Sequence, residues 1–512
     1  MGKKDLLIGC VFFFVGIVSR FPFLERMQSH WDGPQYSIGV VRYMLSQETP
    51  APPGYPLFIG IGRLMYEFSH DPHRAILLVS VLFSGLGAAI IYLAGRRLFN
   101  RPVGVIASLL FLSGPTFYFF GLTAYPYGVI PTIATALALS SYLSLQRKRI
   151  GVILGVVFSL ALGFRPQEFI MFTPLFLVGL YNLPRREKVF AIFSFTVTSL
   201  VWILPFLYVV GGVTSYINSF VAFSKNGAIP LPSPENSLSY LGRMGKGFFL
   251  TFTLSGVFML YFSMKLFLLK KGKGWLRKSI LHKKVQLFFV WIVPSFLVNF
   301  LIRSDHAGYQ MTYLSGCIIL IAYSLWVFFQ KRRYLLASFV ALIIAFNIWW
   351  FVRDRDPGMK NPYIPTSFHY SEIRKNDTRL SAKVAYIREH FDPKSTLIVT
   401  SGQPWRPLMY YLRQYAVENP DGLFTKDARF SNLIRIGNDW NFTQRTTDKL
   451  FLMIPSGVKT IVFTDEDVSN YLSSLKRNEI NLPGNGLLTI LPVVPGEVYE
   501  YSYHSLQKAE QL

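Results

Sequence analysis

Within seven consecutive residues, His30-Trp31-Asp32-Gly33-Pro34-Gln35-Tyr36 gathers a carboxylate, an imidazole, an indole and two further polar side chains. A carboxylate takes a proton from an attacking hydroxyl when it lies within hydrogen-bond reach of it. An indole offers a flat apolar face to a sugar ring or a lipid. The same residues also suit structural ends, with Trp31 as an interfacial anchor and Asp32 capping a helix that starts near Pro34. Further on, Pro52-Pro53-Gly54-Tyr55-Pro56 is a rigid turn that presents Tyr55. Two polar turns then interrupt apolar runs: one carries Arg165, Gln167 and Glu168, the other Arg303, Asp305, His306 and Tyr309. Arginine suits a phosphate because its planar fork binds two oxygens at once. The plainer alternative pairs Arg165 with Glu168 and Arg303 with Asp305.

The elements that position these residues belong to a membrane. Only 16% of the 512 residues are charged and 51% are hydrophobic, whereas an ordinary soluble protein is about 25% charged. Residues 1–352 hold ten carboxylates against thirty-two Lys and Arg, and residues 353–512 hold eighteen against twenty. The composition therefore divides the chain into a membrane-spanning part, 1–352, and a soluble domain, 353–512. A span needs about 20 apolar residues. Candidates lie near 5–21, 75–95, 102–120, 124–146, 150–164, 168–183, 188–210, 247–269, 285–302, 309–330 and 334–352. The first of these, lacking a small-residue cleavage site after it, reads as a retained span rather than a signal peptide.

Basic clusters recur after every second span, at Lys3-Lys4, Arg96-Arg97, Arg147-Lys148-Arg149, Arg185-Arg186, Lys270 to Lys284 and Lys331-Arg332-Arg333. Placing them in the cytoplasm puts the C-terminal domain outside, in a multi-pass protein of the plasma or inner membrane. Eight of the ten carboxylates of the first part then face outward: Glu25, Asp32, Glu48, Glu67, Asp71, Glu168, Glu235 and Asp305. The first external loop, 22–74, contains amphipathic stretches at Gln35–Leu45 and Leu57–Phe68, expected as short helices lying at the interface. The net charge of +24 sits in these loop clusters, which argues for membrane surface and against nucleic acid. Cys10 and Cys317, far apart in different apolar runs, build neither a disulfide framework nor a metal cluster.

The tail reads as α/β. Strands are expected at Thr396–Thr400, Thr460–Phe463 and Leu487–Val494, with helices at Pro407–Tyr415 and Val468–Lys476. No Gly-rich phosphate loop follows a strand, so nothing points to a nucleotide there.

An aromatic-Asp pair after the first span, followed by Pro-Pro-Gly-Tyr-Pro before the second, resembles the GT-C superfamily of membrane glycosyltransferases. The resemblance is narrower to the branch of protein O-mannosyltransferases and bacterial lipid A aminoarabinose transferases. The Arg165-Pro166-Gln167 turn, the many spans and the α/β tail fit the same group. This likeness implies a polyprenyl-phosphate sugar donor and a lipid, glycan or protein acceptor whose hydroxyl is glycosylated at the outer leaflet. Asp32 would be the general base. His30, Trp31, Gln35, Tyr36, Tyr55, Arg165, Gln167, Arg303, His306 and Tyr309 would bind donor or acceptor. Two departures count against metal assistance. The loop Gly121 to Tyr127 carries no acid where many members have one, and Ala51 stands where members often have His before Pro-Pro. No cofactor is indicated, and nothing in the sequence supports a divalent metal. Two other readings stay open, a transporter or flippase of a lipid-linked glycan and a non-catalytic relative acting as scaffold. A transporter would place ionisable groups near the membrane midplane, whereas these spans are nearly free of charge there.

Overall fold

The computed structural model describes the chain except residues 1, 31, 147–148, 227–233, 270–282, 302–306, 354–367, 401–403, 420–429, 437–439, 448–450, 453, 466–476, 494–498, 503–504 and 509–512. Its first part is helical: α1 (Lys3–Val18), α2 (Asp32–Val41), α3 (Pro56–Ser69), α4 (Pro72–Leu98), α5 (Arg101–Ser113), α6 (Pro115–Phe120), α7 (Ile130–Leu145), α8 (Gly151–Phe164) and α9 (Phe169–Tyr181). There follow α10 (Arg185–Val210), α11 (Val213–Asn226), α12 (Pro234–Leu269), α13 (Lys283–Leu301), α14 (Ala307–Phe329) and α15 (Arg333–Val352). Among the described residues, eight helical segments are long and apolar enough to cross a membrane, against the eleven spans expected.

The difference is local. The expected span near 102–120 ends at Gly114, where Pro115 opens α6; proline lacks the amide proton and pushes its predecessor out of the helical region. Helices α8 and α9 have only 14 and 13 residues, parted by a polar turn over Pro166–Glu168. The two short helices expected in the first loop are present as α2 and α3, and α2 is buried from Gly33 to Val40.

Close helix crossings at glycines help set the bundle. Helices α1 and α4 meet at Gly16 and Gly85, where a Cβ on Gly85 would lie 2.6 Å from the Phe13 carbonyl oxygen. Helices α8 and α10 meet at Gly155, where a Cβ would lie 2.1 Å from the Ala191 oxygen. Small residues let helix backbones approach this closely in a membrane. Gly85→Ala is therefore expected to destabilise the protein by about 1–3 kcal/mol through overpacking. Gly60→Ala, on α3 with nothing within 4 Å of its Cβ direction, is expected to melt like the parent. Thermal melts of the two variants in one detergent check the pair, and equal melting would remove the crossing as a constraint.

Among the described residues, Arg96, Arg97, Arg101, Lys283 and Lys284 gather at one end of the bundle. There Asp5 holds Arg101 at 2.8 Å and Arg96 at 3.3 Å, and Lys283 Nζ donates to the Leu145 carbonyl at 3.0 Å. The first loop and the tail occupy the other end. The tail carries α16 (Tyr370–His390), α17 (Trp405–Tyr411) and the strands β1 (Thr396–Val399), β2 (Ala416–Asn419), β3 (Phe430–Arg435), β4 (Thr443–Thr447), β5 (Phe451–Leu452), β6 (Thr460–Phe463), β7 (Asn478–Leu482), β8 (Gly486–Pro492), β9 (Tyr499–Ser502) and β10 (Ser505–Lys508). The larger sheet has the order β4-β3-β2-β1-β6-β8-β7. Central β1 runs parallel to β2 and β6, and the outer pairs are antiparallel. The strands expected near 396–400, 460–463 and 487–494 are β1, β6 and β8, and the helix expected at 407–415 is α17, which starts two residues earlier. The helix expected at 468–476 lies outside the described residues.

The tail is seated directly on the first loop. Ile38 of α2 is buried in the same apolar cluster as Leu380, Ile387, Trp405 and Leu408 of the tail. Asp377 accepts from the amides of Arg26 at 3.0 Å and Met27 at 2.8 Å, and the Tyr411 hydroxyl accepts from the amide of Gln28 at 2.8 Å.

Candidate active site

Asp32 opens α2, half-buried. Its carboxylate accepts no hydrogen bond from any described residue, so the capping role is not the one it plays here. Burial pushes its pKa up to about 6; Glu48 pushes the same way, and Arg406 and Arg165 pull it down. A carboxylate in that state stays ionised at neutral pH yet is a stronger base than a solvated aspartate, as proton abstraction favours.

Tyrosines line its surroundings. Tyr36, one turn along α2, packs edge-on against Tyr55 with ring centres 5.1 Å apart. Tyr55, at the left-handed φ of 51° that ends the Pro-Pro-Gly-Tyr-Pro turn, accepts a 2.8 Å hydrogen bond from Gln167 Nε2. The loop after α6 contributes Tyr125 and Tyr127, with ring centres 5.4 Å apart, and buried His30 packs against Tyr125 at 5.6 Å. Tyr309, at the start of α14, meets Tyr127 at 5.4 Å.

Arg165 lies at the floor of this group, 1% exposed. Its guanidinium sits over the rings of Tyr309 at 4.6 Å and Tyr127 at 5.1 Å. The ion pair with Glu168 is present, Nη1 to Oε1 at 2.9 Å, both side chains buried. Glu168 also accepts from the Thr312 hydroxyl at 2.8 Å. The pairing is one of charge alone, however: none of the three guanidinium nitrogens is aligned for a hydrogen bond. A buried guanidinium without such bonds keeps its donors available to a second anion.

The residues expected to bind substrate thus divide. His30, Gln35, Tyr36, Tyr55, Arg165, Gln167 and Tyr309 come together around Asp32. Trp31, Arg303 and His306 lie outside the described residues. Sequence reasoning missed Tyr125 and Tyr127, in the loop noted only for lacking an acid, and missed Glu48 and Arg406. Glu48 accepts from Gln35 Nε2 at 3.2 Å and from Arg406 Nη2 at 2.8 Å. It also borders a 570 Å³ cavity lined by Leu45, Ser46, Thr214, Ser215 and Asn218. A second, deeper contact ties the loops: Glu25 accepts from the Ala124 amide at 2.7 Å and meets His73 Nε2 at 3.2 Å. Among the described residues, no group of three or more His, Cys, Asp or Glu comes together that could hold a metal ion.

Residues 51–209 match the family model of dolichyl-phosphate-mannose-protein mannosyltransferases. No curated protein matches the sequence. Among solved structures, ArnT from Cupriavidus metallidurans bound to undecaprenyl phosphate is similar with a TM-score of 0.57 and 13% identity, over 95% of this chain and 97% of that one. The apo state of the same protein is similar at 0.55 and 14%, over the same shares. The fold likeness spans nearly the whole chain, the family match covers the turns that carry Tyr55, Arg165 and Gln167, and together they bear out the resemblance of this chain to the GT-C superfamily of membrane glycosyltransferases.

Proposed function

We propose that this protein is a membrane glycosyltransferase that moves a sugar from a polyprenyl-phosphate donor to an acceptor hydroxyl at the outer leaflet. The observation that carries the reading is the juxtaposition of Asp32, which accepts no hydrogen bond from a described residue and is held at a pKa of about 6, with Arg165, buried among tyrosine rings. In the proposed reaction Asp32 takes the proton of the acceptor hydroxyl as its oxygen attacks the anomeric carbon. The bond from that carbon to the phosphate oxygen breaks, and the lipid phosphate leaves carrying the electron pair. Arg165 receives the charge on the phosphate, and the tyrosine faces hold the sugar ring. The family matched over 51–209 is named for a dolichyl-phosphate-mannose donor, and the similar ArnT holds undecaprenyl phosphate; both support a lipid-phosphate donor here.

The test is direct. The purified full chain in lipid nanodiscs is given undecaprenyl phosphates carrying radiolabelled hexoses or aminopentoses, with a membrane extract as acceptor source. Label should pass from the donor lipid to an acceptor or, more slowly, to water. Retention of the label on every donor lipid would overturn the proposal. Passage of intact labelled lipid across the bilayer, without sugar release, would favour the transporter reading instead.

The orientation is a second expectation. The basic end defined by Asp5, Arg96 and Arg101 is taken as cytoplasmic, which sets the tail and the Asp32 site outside. A periplasm-active reporter such as alkaline phosphatase fused after Leu512 should be active. A fusion active only when the reporter requires cytoplasm would invert the bundle and remove the outer-leaflet assignment.

A further inference from the structure

The soluble tail reaches the site through the side chain of Arg406. Arg406, on α17, is fully buried. Its guanidinium lies over the rings of Trp405 at 4.8 Å and Phe442 at 4.7 Å. From there Nη2 donates to Glu48 Oε2 at 2.8 Å, and Nη1 reaches the Gln47 carbonyl at 3.4 Å. Neighbouring contacts lock the same junction, with the Phe442 amide donating to Gln47 Oε1 at 2.8 Å and Arg42 Nη2 donating to Asn441 Oδ1 at 3.0 Å. Glu48 in turn holds Gln35, one turn beyond Asp32 on the inward face of α2.

We infer that the C-terminal domain completes the active site, with Arg406 acting as a positioning residue that, through Glu48 and by its own charge, sets the protonation of Asp32. The inference rests on the reading of Asp32 as the base. A tail that served only for stability or for binding elsewhere would have no reason to bury a cation against this loop. Burying a guanidinium is costly unless its charge is used or matched, and here it is matched by one carboxylate while a second, Asp32, lies in its field. Among the described residues, the charged groups that act on Asp32 are Arg406, Glu48 and Arg165, and the phenols of Tyr36, Tyr55, Tyr125 and Tyr127 lie beside it.

The signs of the two effects differ, which gives the test its force. A nearby cation favours an ionised carboxylate and a nearby anion disfavours it. Removing Arg406 leaves Glu48 uncompensated, so the protonation midpoint of Asp32 should rise. Removing the charge of Glu48 should lower it. Any loosening of the domain contact, by contrast, would let water in and move both variants the same way, toward the ordinary aspartate value.

Asp32 can be titrated without substrate, because hydrophobic carbodiimides modify protonated carboxyls in buried sites. The full-length protein in nanodiscs is treated with dicyclohexylcarbodiimide across a range of pH, and adduct on the peptide bearing Asp32 is quantified by mass spectrometry. The parent should show a midpoint near 6. Arg406→Gln should raise it by about one pH unit, and Glu48→Gln should lower it by a similar amount. Arg406→Lys, which keeps the charge, should stay near the parent and serves as the variant to read if Arg406→Gln unfolds. An unmoved midpoint in folded Arg406→Gln, or shifts of the same sign in the Arg406→Gln and Glu48→Gln variants, would overturn the inference. So would an Arg406→Lys midpoint displaced as far as that of Arg406→Gln. Those results would leave the transferase reading standing, since that reading falls only if no sugar leaves any donor lipid; the assignment of Asp32 as base, on which the inference rests, falls separately if Asp32→Asn transfers sugar normally.

Discussion

Asp32→Asn is expected to yield a folded protein that still binds the lipid donor but transfers sugar at least about a hundredfold more slowly. General-base assistance is typically worth about 10²–10⁴ in rate, and an acceptor hydroxyl, with a pKa far above neutral, cannot supply an alkoxide unaided. The amide keeps the size of the side chain and caps a helix about as well as the acid does, so only basicity is removed. The parent should show the matching pH dependence. Below a pH of about 6 Asp32 is protonated and cannot accept a proton, so the rate should fall about tenfold per pH unit. Above that value this limb should be flat. Near-normal transfer by Asp32→Asn would return Asp32 to a structural role, and Glu168 would not inherit the function readily, being held by Arg165 and Thr312.

Arg165→Ala carries the second large expected effect, and it acts twice. Loss of a charge-assisted bond to the donor phosphate is worth about 1.5–3 kcal/mol, or about tenfold to more than a hundredfold in donor affinity. The same change strands Glu168, buried without its counter-charge, and breaking a buried pair in that way costs about 3–5 kcal/mol of stability. The two losses separate when Glu168 is neutralised. In Arg165→Ala/Glu168→Gln the stability should largely return while donor affinity stays low. Arg165→Lys should keep the charge and lose the fork, giving intermediate affinity. Binding of undecaprenyl phosphate measured by tryptophan quenching, with thermal melts of the same samples, checks both. If the double variant binds as tightly as the parent, Arg165 serves the fold alone.

Much of the site was legible in the sequence because its parts are local. The amphipathic stretches of the first loop become α2 and α3 through a spacing that any reader of helical periodicity meets, and Pro-Pro-Gly-Tyr-Pro becomes a turn because its residues allow little else. Arg165 and Gln167 stood out as polar groups between apolar runs. What stayed hidden is non-local. Arg406 lies 358 residues from Glu48, and its own helix has nothing in its spacing that names a partner. Tyr125 and Tyr127 were passed over because an acid was sought in their loop, whereas the loop contributes faces. Fewer long apolar helices than expected spans are found for a local reason of another kind: apolar composition does not register that Gly114-Pro115 divides one run into two helices, or that α8 and α9 have only 14 and 13 residues.

The amides of Arg26 and Met27 find their acceptor 351 and 350 residues further along the chain, at Asp377. The loop carrying Asp32 is thus among the first parts to leave the ribosome and among the last to be completed. At about 5–20 residues per second of synthesis, that interval is roughly 20–70 s. Throughout it the loop has emerged with its polar groups unanswered by the tail. Assembly of the candidate site is therefore timed by translation of the tail, and a nascent chain halted before Asp377 already has its spans but not the loop of Asp32 tied in place.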